Sequence, residues 1–219
     1  MPLPPAAPGR QLKHRRQIDV QVFARDDGLW EVDATLVDTK TRVANMADGP
    51  RPAGTPIHDM LLRLVVNNQL DVLAAGSDTR WMPYPGVCSE HGDAYQHLVG
   101  LNLLKSFRQR LREKLRGVQG CTHLTELAQV LPTAVVQGFA GEVIDTRGID
   151  EGAAKPFQID QCHALRSSGP TVQLHYPRWY RPAATTEISA IPAIPETPET
   201  QDPQGAARAA PTERSKEEL

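Results

Sequence analysis

The chain has 219 residues, with 24 Lys and Arg against 26 Asp and Glu, 40% hydrophobic residues, 19 Pro and only 3 Cys. This composition fits one modest domain with polar ends and excludes collagen-like, coiled-coil and disulfide-scaffold architectures. A net charge of −2 lacks the basic bias of a nucleic-acid binder, and no window approaches the roughly 18 consecutive apolar residues that a membrane helix needs.

In chain order, residues 1–9 open with Met1-Pro2-Leu3-Pro4-Pro5, without the basic-then-apolar layout of a secretory signal, and are expected to be disordered. A single α+β domain is expected over residues 10–180. Ile18, Val20 and Val22 alternate with Asp19, Gln21 and Phe23, Asp26-Asp27-Gly28 forms a turn, and Trp30, Val32, Ala34 and Leu36 alternate again, which predicts a hairpin. A Pro/Gly-rich crossing from Ala47 to Pro56 leads to an apolar run, Ile57 to Val66. Asn67-Asn68 then turns the chain into a returning strand, Leu70 to Ala75. Two hairpins in series predict an antiparallel sheet of about four strands.

After Pro83-Tyr84-Pro85-Gly86 the period becomes helical. Leu104, Phe107, Leu111 and Leu115 form one apolar row, while Lys105, Arg108, Arg110, Arg112, Lys114 and Arg116 form a basic outer surface. A second helix is predicted over 122–140, with Leu124, Leu127, Leu131 and Val135 buried and Pro132 kinking or dividing it. Phe157, Ile159, Cys162 and Leu165 suggest a short amphipathic turn before a last strand, Val172 to Tyr176, with Trp179 and Tyr180 covering an edge. Strands followed by helices indicate an α+β fold, an antiparallel sheet covered by a C-terminal helical layer, rather than a wound parallel sheet. From Arg181 to Leu219 the chain is rich in Pro, Ala and Thr and carries seven acids against four bases, which predicts a disordered acidic tail over 181–219. Its closing Lys216-Glu217-Glu218-Leu219 looks like a retrieval signal but has no meaning outside the secretory route.

Three unclustered thiols, Cys88, Cys121 and Cys162, suit a reducing compartment and a cytoplasmic location. Gly120-Cys121-Thr122-His123-Leu124 places Cys121 at the positive end of a helix with Thr122 as its N-cap, where a thiolate is favoured as nucleophile or metal ligand. Small packing cysteines are common at such positions, so both readings stand. Ile57-His58-Asp59-Met60 lies where a loop becomes a strand, which suits either ligands or a loop brace. Cys88, followed by Ser89-Glu90-His91, lies between sheet and helices. Together Asp59, Cys88 and Cys121, with His58, His91 or His123, would offer a tetrahedral set for Zn²⁺ or ligands for an iron–sulfur centre. Cys162-His163 is read as packing.

The succession of hairpin, His58-Asp59-Met60, returning strand, Cys88, basic helix, Leu115-x-x-Val118 and Cys121-Thr122-x-Leu124 resembles the U-type iron–sulfur cluster scaffold proteins. Their pattern is Cys-Gly-Asp-x-Met, a second Cys after the next strand, and Leu-Pro-Pro-Val-Lys before a Cys-Ser-x-Leu helix start. The resemblance spans about residues 54 to 140 and implies Asp59, Cys88 and Cys121 as ligands, but Ile57 stands at the first scaffold cysteine and His58 at the glycine. The whole body, Arg10 to Tyr180, also resembles a bacterial family known as domain of unknown function 2889. That likeness rests on Ile57-His58-Asp59-Met60, Gly120-Cys121-Thr122-His123-Leu124, Cys162-His163-Ala164-Leu165 and Pro177-x-Trp179, and it implies no activity.

The leading expectation is a non-enzymatic metal site, for Zn²⁺ or an iron–sulfur cluster. Cys88 and Cys121 would be its thiolates, Asp59 its oxygen ligand, and His58 or His123 the replacement for the missing thiol. A second reading makes Cys121 the nucleophile of a thiol- or acyl-transfer enzyme, with His123 or His58 as base and Asp59 orienting it. A third is a binding module whose basic helix, 105–116, recruits a protein partner. The absence of a Gly-rich phosphate loop and of a nucleophile elbow lowers kinase-like and classical hydrolase readings.

Overall fold

A computed structural model describes residues 3–148 and 154–183. The expected tail therefore lies outside the described residues from position 184 onward. Contacts divide the chain into Met1–Tyr180 and Arg181–Leu219, and among the described residues every strand and helix belongs to the first of these units.

The first hairpin joins β1 (His14–Ala24) to β2 (Trp30–Lys40) in unbroken antiparallel register, from His14 opposite Lys40 to Ala24 opposite Trp30. Its turn closes with Arg25 donating its amide to Leu29 O at 2.9 Å, and Gly28 takes the left-handed φ of 78° that the turn requires. The crossing after β2 is not a plain loop: Ala44–Met46 (β3) and Gly49–Arg51 (β4) pair as a two-stranded hairpin. Arg51 anchors it, buried with its guanidinium donating to the carbonyls of Pro56, Ile57 and Met82. Strand β5 (Pro56–Val66) then pairs with β2, and β6 (Val72–Trp81) pairs with β5, giving the sheet order β1-β2-β5-β6. At the second turn Asn67 Oδ1 accepts the amides of Gln69 and Asp71.

Period-two alternation sorts the sheet into two faces. Val32, Ala34 and Leu36 of β2 and Met60, Leu62, Leu64 and Val66 of β5 are almost fully buried on one face. Helices α1 (Phe107–Leu115) and α2 (Thr122–Phe139) cover that face with Phe107, Leu111, Leu115, Leu124, Leu127, Leu131, Val135 and Phe139. This is the expected α+β architecture. Among the described residues, no helix is long and apolar enough to cross a membrane.

Three local expectations are corrected. Helix α1 begins at Phe107, not Leu104, because Asn102 Oδ1 accepts the amides of Leu104 and Lys105 in a turn, and Leu104 is left 48% exposed. Of the kink or division expected at Pro132, division does not occur, since α2 runs on through Pro132, which is buried. The expected last strand is instead helix α3 (Pro170–His175): Pro170 sits in its first turn, where a fixed φ favours helix, and only Val172 is buried.

The start of α2 is held from outside the helix. Tyr95, fully buried in the 3-10 turn Gly92–Leu98, accepts the Cys121 amide at 3.1 Å and donates to the Cys121 carbonyl at 2.8 Å, with the Thr125 hydroxyl 2.9 Å away. Burial pushes the Tyr95 hydroxyl up to about 12, so it stays a neutral hydrogen-bonding group. Just ahead, Gly120 passes so close to α1 that a Cβ there would lie 2.8 Å from the Leu115 carbonyl oxygen. Gly120→Ala is expected to cost about 1–2 kcal/mol by forcing the two helix ends apart. Urea unfolding would measure it, and an unchanged midpoint would show that the junction yields freely.

Candidate functional site

At one end of the covered face the apolar rows give way to polar ones without a change of phase. On β1 the row Val22, Val20, Ile18 continues into Arg16 and His14. On β2 Val32, Ala34, Leu36 continues into Asp38, and on β5 Leu64, Leu62, Met60 continues into His58. The strand registers set these residues abreast, Arg16 opposite Asp38 and Asp38 opposite His58. The first turns of α2 close over them with His123 and Glu126.

Asp38 is the centre of this group, with its side chain 3% exposed. Arg16 grips it with a two-pronged fork, Nε to Oδ1 at 2.8 Å and Nη2 to Oδ2 at 2.7 Å. His58 Nδ1 lies 2.9 Å from Oδ2 and His14 Nε2 3.1 Å from Oδ1. Burial alone would push the carboxyl up, but the Arg16 and His58 hydrogen bonds and charges hold it at about 2. An ionised carboxylate can only accept, so the facing ring nitrogens, His58 Nδ1 and His14 Nε2, must carry protons. A neutral His58 then keeps its lone pair on Nε2.

Arg16 also donates through Nη1 to Glu126, which ties β1 to the second turn of α2. The His58 and His123 rings stack with centroids 3.8 Å apart and planes at 34°. Burial, the neighbouring His58 and then Arg16 lower the pKa of His123, favouring its neutral form. Cys121, the N-cap of α2, has its Sγ 4.0 Å from His123 Nδ1.

Of the five residues expected to hold metal, the structure brings His58 and His123 together and sets Cys121 beside them. Asp59 follows His58 in a strand and so points to the opposite, uncovered face, where Arg80 lies 3.7 Å away. Cys88 is half-buried in the segment after β6, with its amide donating to the Tyr84 carbonyl. Cys162 is exposed at the start of a 3-10 turn, and His163 faces Arg166. Among the described residues, the only group of three or more His, Cys, Asp or Glu side chains with donor atoms all within 4.8 Å of one another is Asp38, His58 and His123.

Sequence reasoning missed Asp38, Arg16, His14 and Glu126. The signal was present in the alternation itself: the inward phase of three strands ends in a charged or imidazole side chain, which a folded sheet must gather and pair.

A protein-family model matches residues 14–137, and its description is "Protein of unknown function (DUF2889)". No curated protein matches the chain. No solved structure matches it.

Proposed function

The chain belongs to the DUF2889 family, and from the geometry of its polar cluster we propose that it binds one divalent transition-metal ion of the Zn²⁺ class. The observation that carries this reading is the approach of His58, backed by Asp38, to His123 and Cys121: the two ring centroids lie 3.8 Å apart, Cys121 Sγ is 4.0 Å from His123 Nδ1, and donor atoms of Asp38, His58 and His123 lie within 4.8 Å of one another. His58 Nε2 and a ring nitrogen of His123 are the ligands. Asp38 stands behind His58, fixing the tautomer that leaves Nε2 free, as carboxylates do behind metal-bound imidazoles. Its own oxygens are engaged by Arg16, which makes it a poorer direct ligand. Cys121 Sγ, 4.0 Å from His123 Nδ1, is the soft third donor, and water completes the set. Two imidazoles and one thiolate suit zinc better than an iron–sulfur cluster, whose irons are held mainly by thiolates.

Stacked rings direct their lone pairs past each other, so the ion must swing His123 out of the stack to bring donors within bonds of about 2.0–2.3 Å. The expected result is about one equivalent of Zn²⁺ bound by the full chain after anaerobic purification and supplementation. His58→Ala and His123→Ala each abolish it, and Cys121→Ser weakens it about 10- to 100-fold. Less than about one-tenth of an equivalent of zinc plus iron, unchanged on supplementation, overturns the reading.

A further inference from the structure

We propose that β1, the free edge of the sheet, is where two copies of this chain pair as antiparallel strands about a two-fold axis at Gln17, joining two four-stranded sheets into one. The two edges of the sheet differ. At β6 the ladder shifts register twice and Gly76 interrupts the side chains, devices that blunt an edge. Strand β1 has eleven residues in unbroken register, no proline and no bulge, the form of edge that invites another strand.

Part of its apolar surface is also uncovered. Ile18 is 39% exposed although Leu36, opposite it on β2, is fully buried, whereas Val20 and Val22 on the same face are partly covered by the core under α2. Phe23 at 44% and Leu12 at 64% lie along the same strand and its approach.

Charge selects both the occupant and the register. Arg15 and Asp19 are exposed on the uncovered face four residues apart. Arg15 has no ion pair among the described residues, and Asp19 accepts only the amide of Gln21. Centring the two-fold axis on Gln17 sets Arg15 of each copy opposite Asp19 of the other, two ion pairs from one symmetry operation. On the helix-covered face the same register sets Ile18 of each copy opposite the Arg16 stem of the other and brings the two Ile18 side chains to diagonal contact. Centring on Asp19 would oppose two carboxylates, and centring on Arg16 two guanidinium groups, which disfavours both.

Sedimentation equilibrium of the full chain tests this. A monomer–dimer equilibrium is expected, weakened about tenfold or more by Arg15→Glu or Asp19→Arg alone, since each sets like charges face to face twice. The double reversal R15E/D19R restores the pairs and is expected to return the dissociation constant to near that of the parent. Both side chains are exposed, so unfolding midpoints measured at concentrations where the parent is monomeric should stay unchanged. A monomer at every concentration leaves the edge to a strand of another protein and overturns the proposal. So does a dimer indifferent to the single reversals, or a double variant no tighter than the singles.

Discussion

Asp38→Asn is expected to destabilise the protein by about 3–5 kcal/mol, the range for removing one partner of a buried ion pair. The carboxylate serves four donors at once, two from Arg16 and one each from His14 and His58. An amide of the same shape offers one oxygen acceptor and turns its NH₂ group toward an Arg16 N–H that cannot receive it, whichever way it is flipped. The loss spreads over the fold, because these donors come from β1 and β5 while Arg16 also holds Glu126 on α2. Replacing both partners tests the origin of the effect. Asp38→Leu with Arg16→Met removes the charges together and is expected to cost less than the sum of the single changes, as apolar replacement of a buried pair does. Denaturant unfolding of the four proteins would decide it. Strict additivity would mean that Asp38 and Arg16 act independently, against the fork geometry.

The same residues explain how far the sequence could be read. Alternation in Ile18 to Val22, Trp30 to Leu36 and Ile57 to Val66 is a local signal, because side-chain direction in a strand is set by the pleat. It gave the hairpins, the antiparallel sheet and the covered face. His58 and His123 were legible as candidates because an imidazole near a strand or helix end is chemically conspicuous. Their contact was not, since it depends on where α2 lands across the sheet, and no local rule sets that position. The Ile57-His58-Asp59-Met60 box and the scaffold resemblance point to Asp59 rather than Asp38, yet neighbours in a strand face opposite ways. Asp38, twenty residues from His58, is its partner because register sets them abreast. Helix α3 escaped for a related reason. Val172, Leu174 and Tyr176 alternate as in a strand, but Pro170 favours a helix start and Leu174 is 74% exposed.

The cluster should also make stability fall on acidification in two windows. Asp38 has a folded pKa of about 2, against an ordinary carboxyl near 3.9 in the unfolded chain. Between those values the unfolded state binds more protons, so the contribution is complete above about pH 4 and lost as pH falls through 2, roughly 2–3 kcal/mol in all. His123 acts in the same direction at higher pH. Burial and the positive charge of its neighbours lower its folded pKa, so the fold prefers the neutral ring. Its contribution is present above the unfolded value near 6.5 and lost as pH falls toward the folded one. Exposed Asp27, Asp145 and Asp160 and half-buried Asp71 also titrate low, but water and salt screen them. Urea midpoints from pH 8 to 2, taken with a chelator in 0.5 M salt, should therefore show a shallow decline below about pH 6.5 and a steeper one below about 4. His123→Gln should remove the first and Asp38→Asn the second. A His123→Gln profile that keeps the upper decline would place that proton elsewhere, and a steep acid limb surviving Asp38→Asn would show that the buried carboxylate is not what acid attacks.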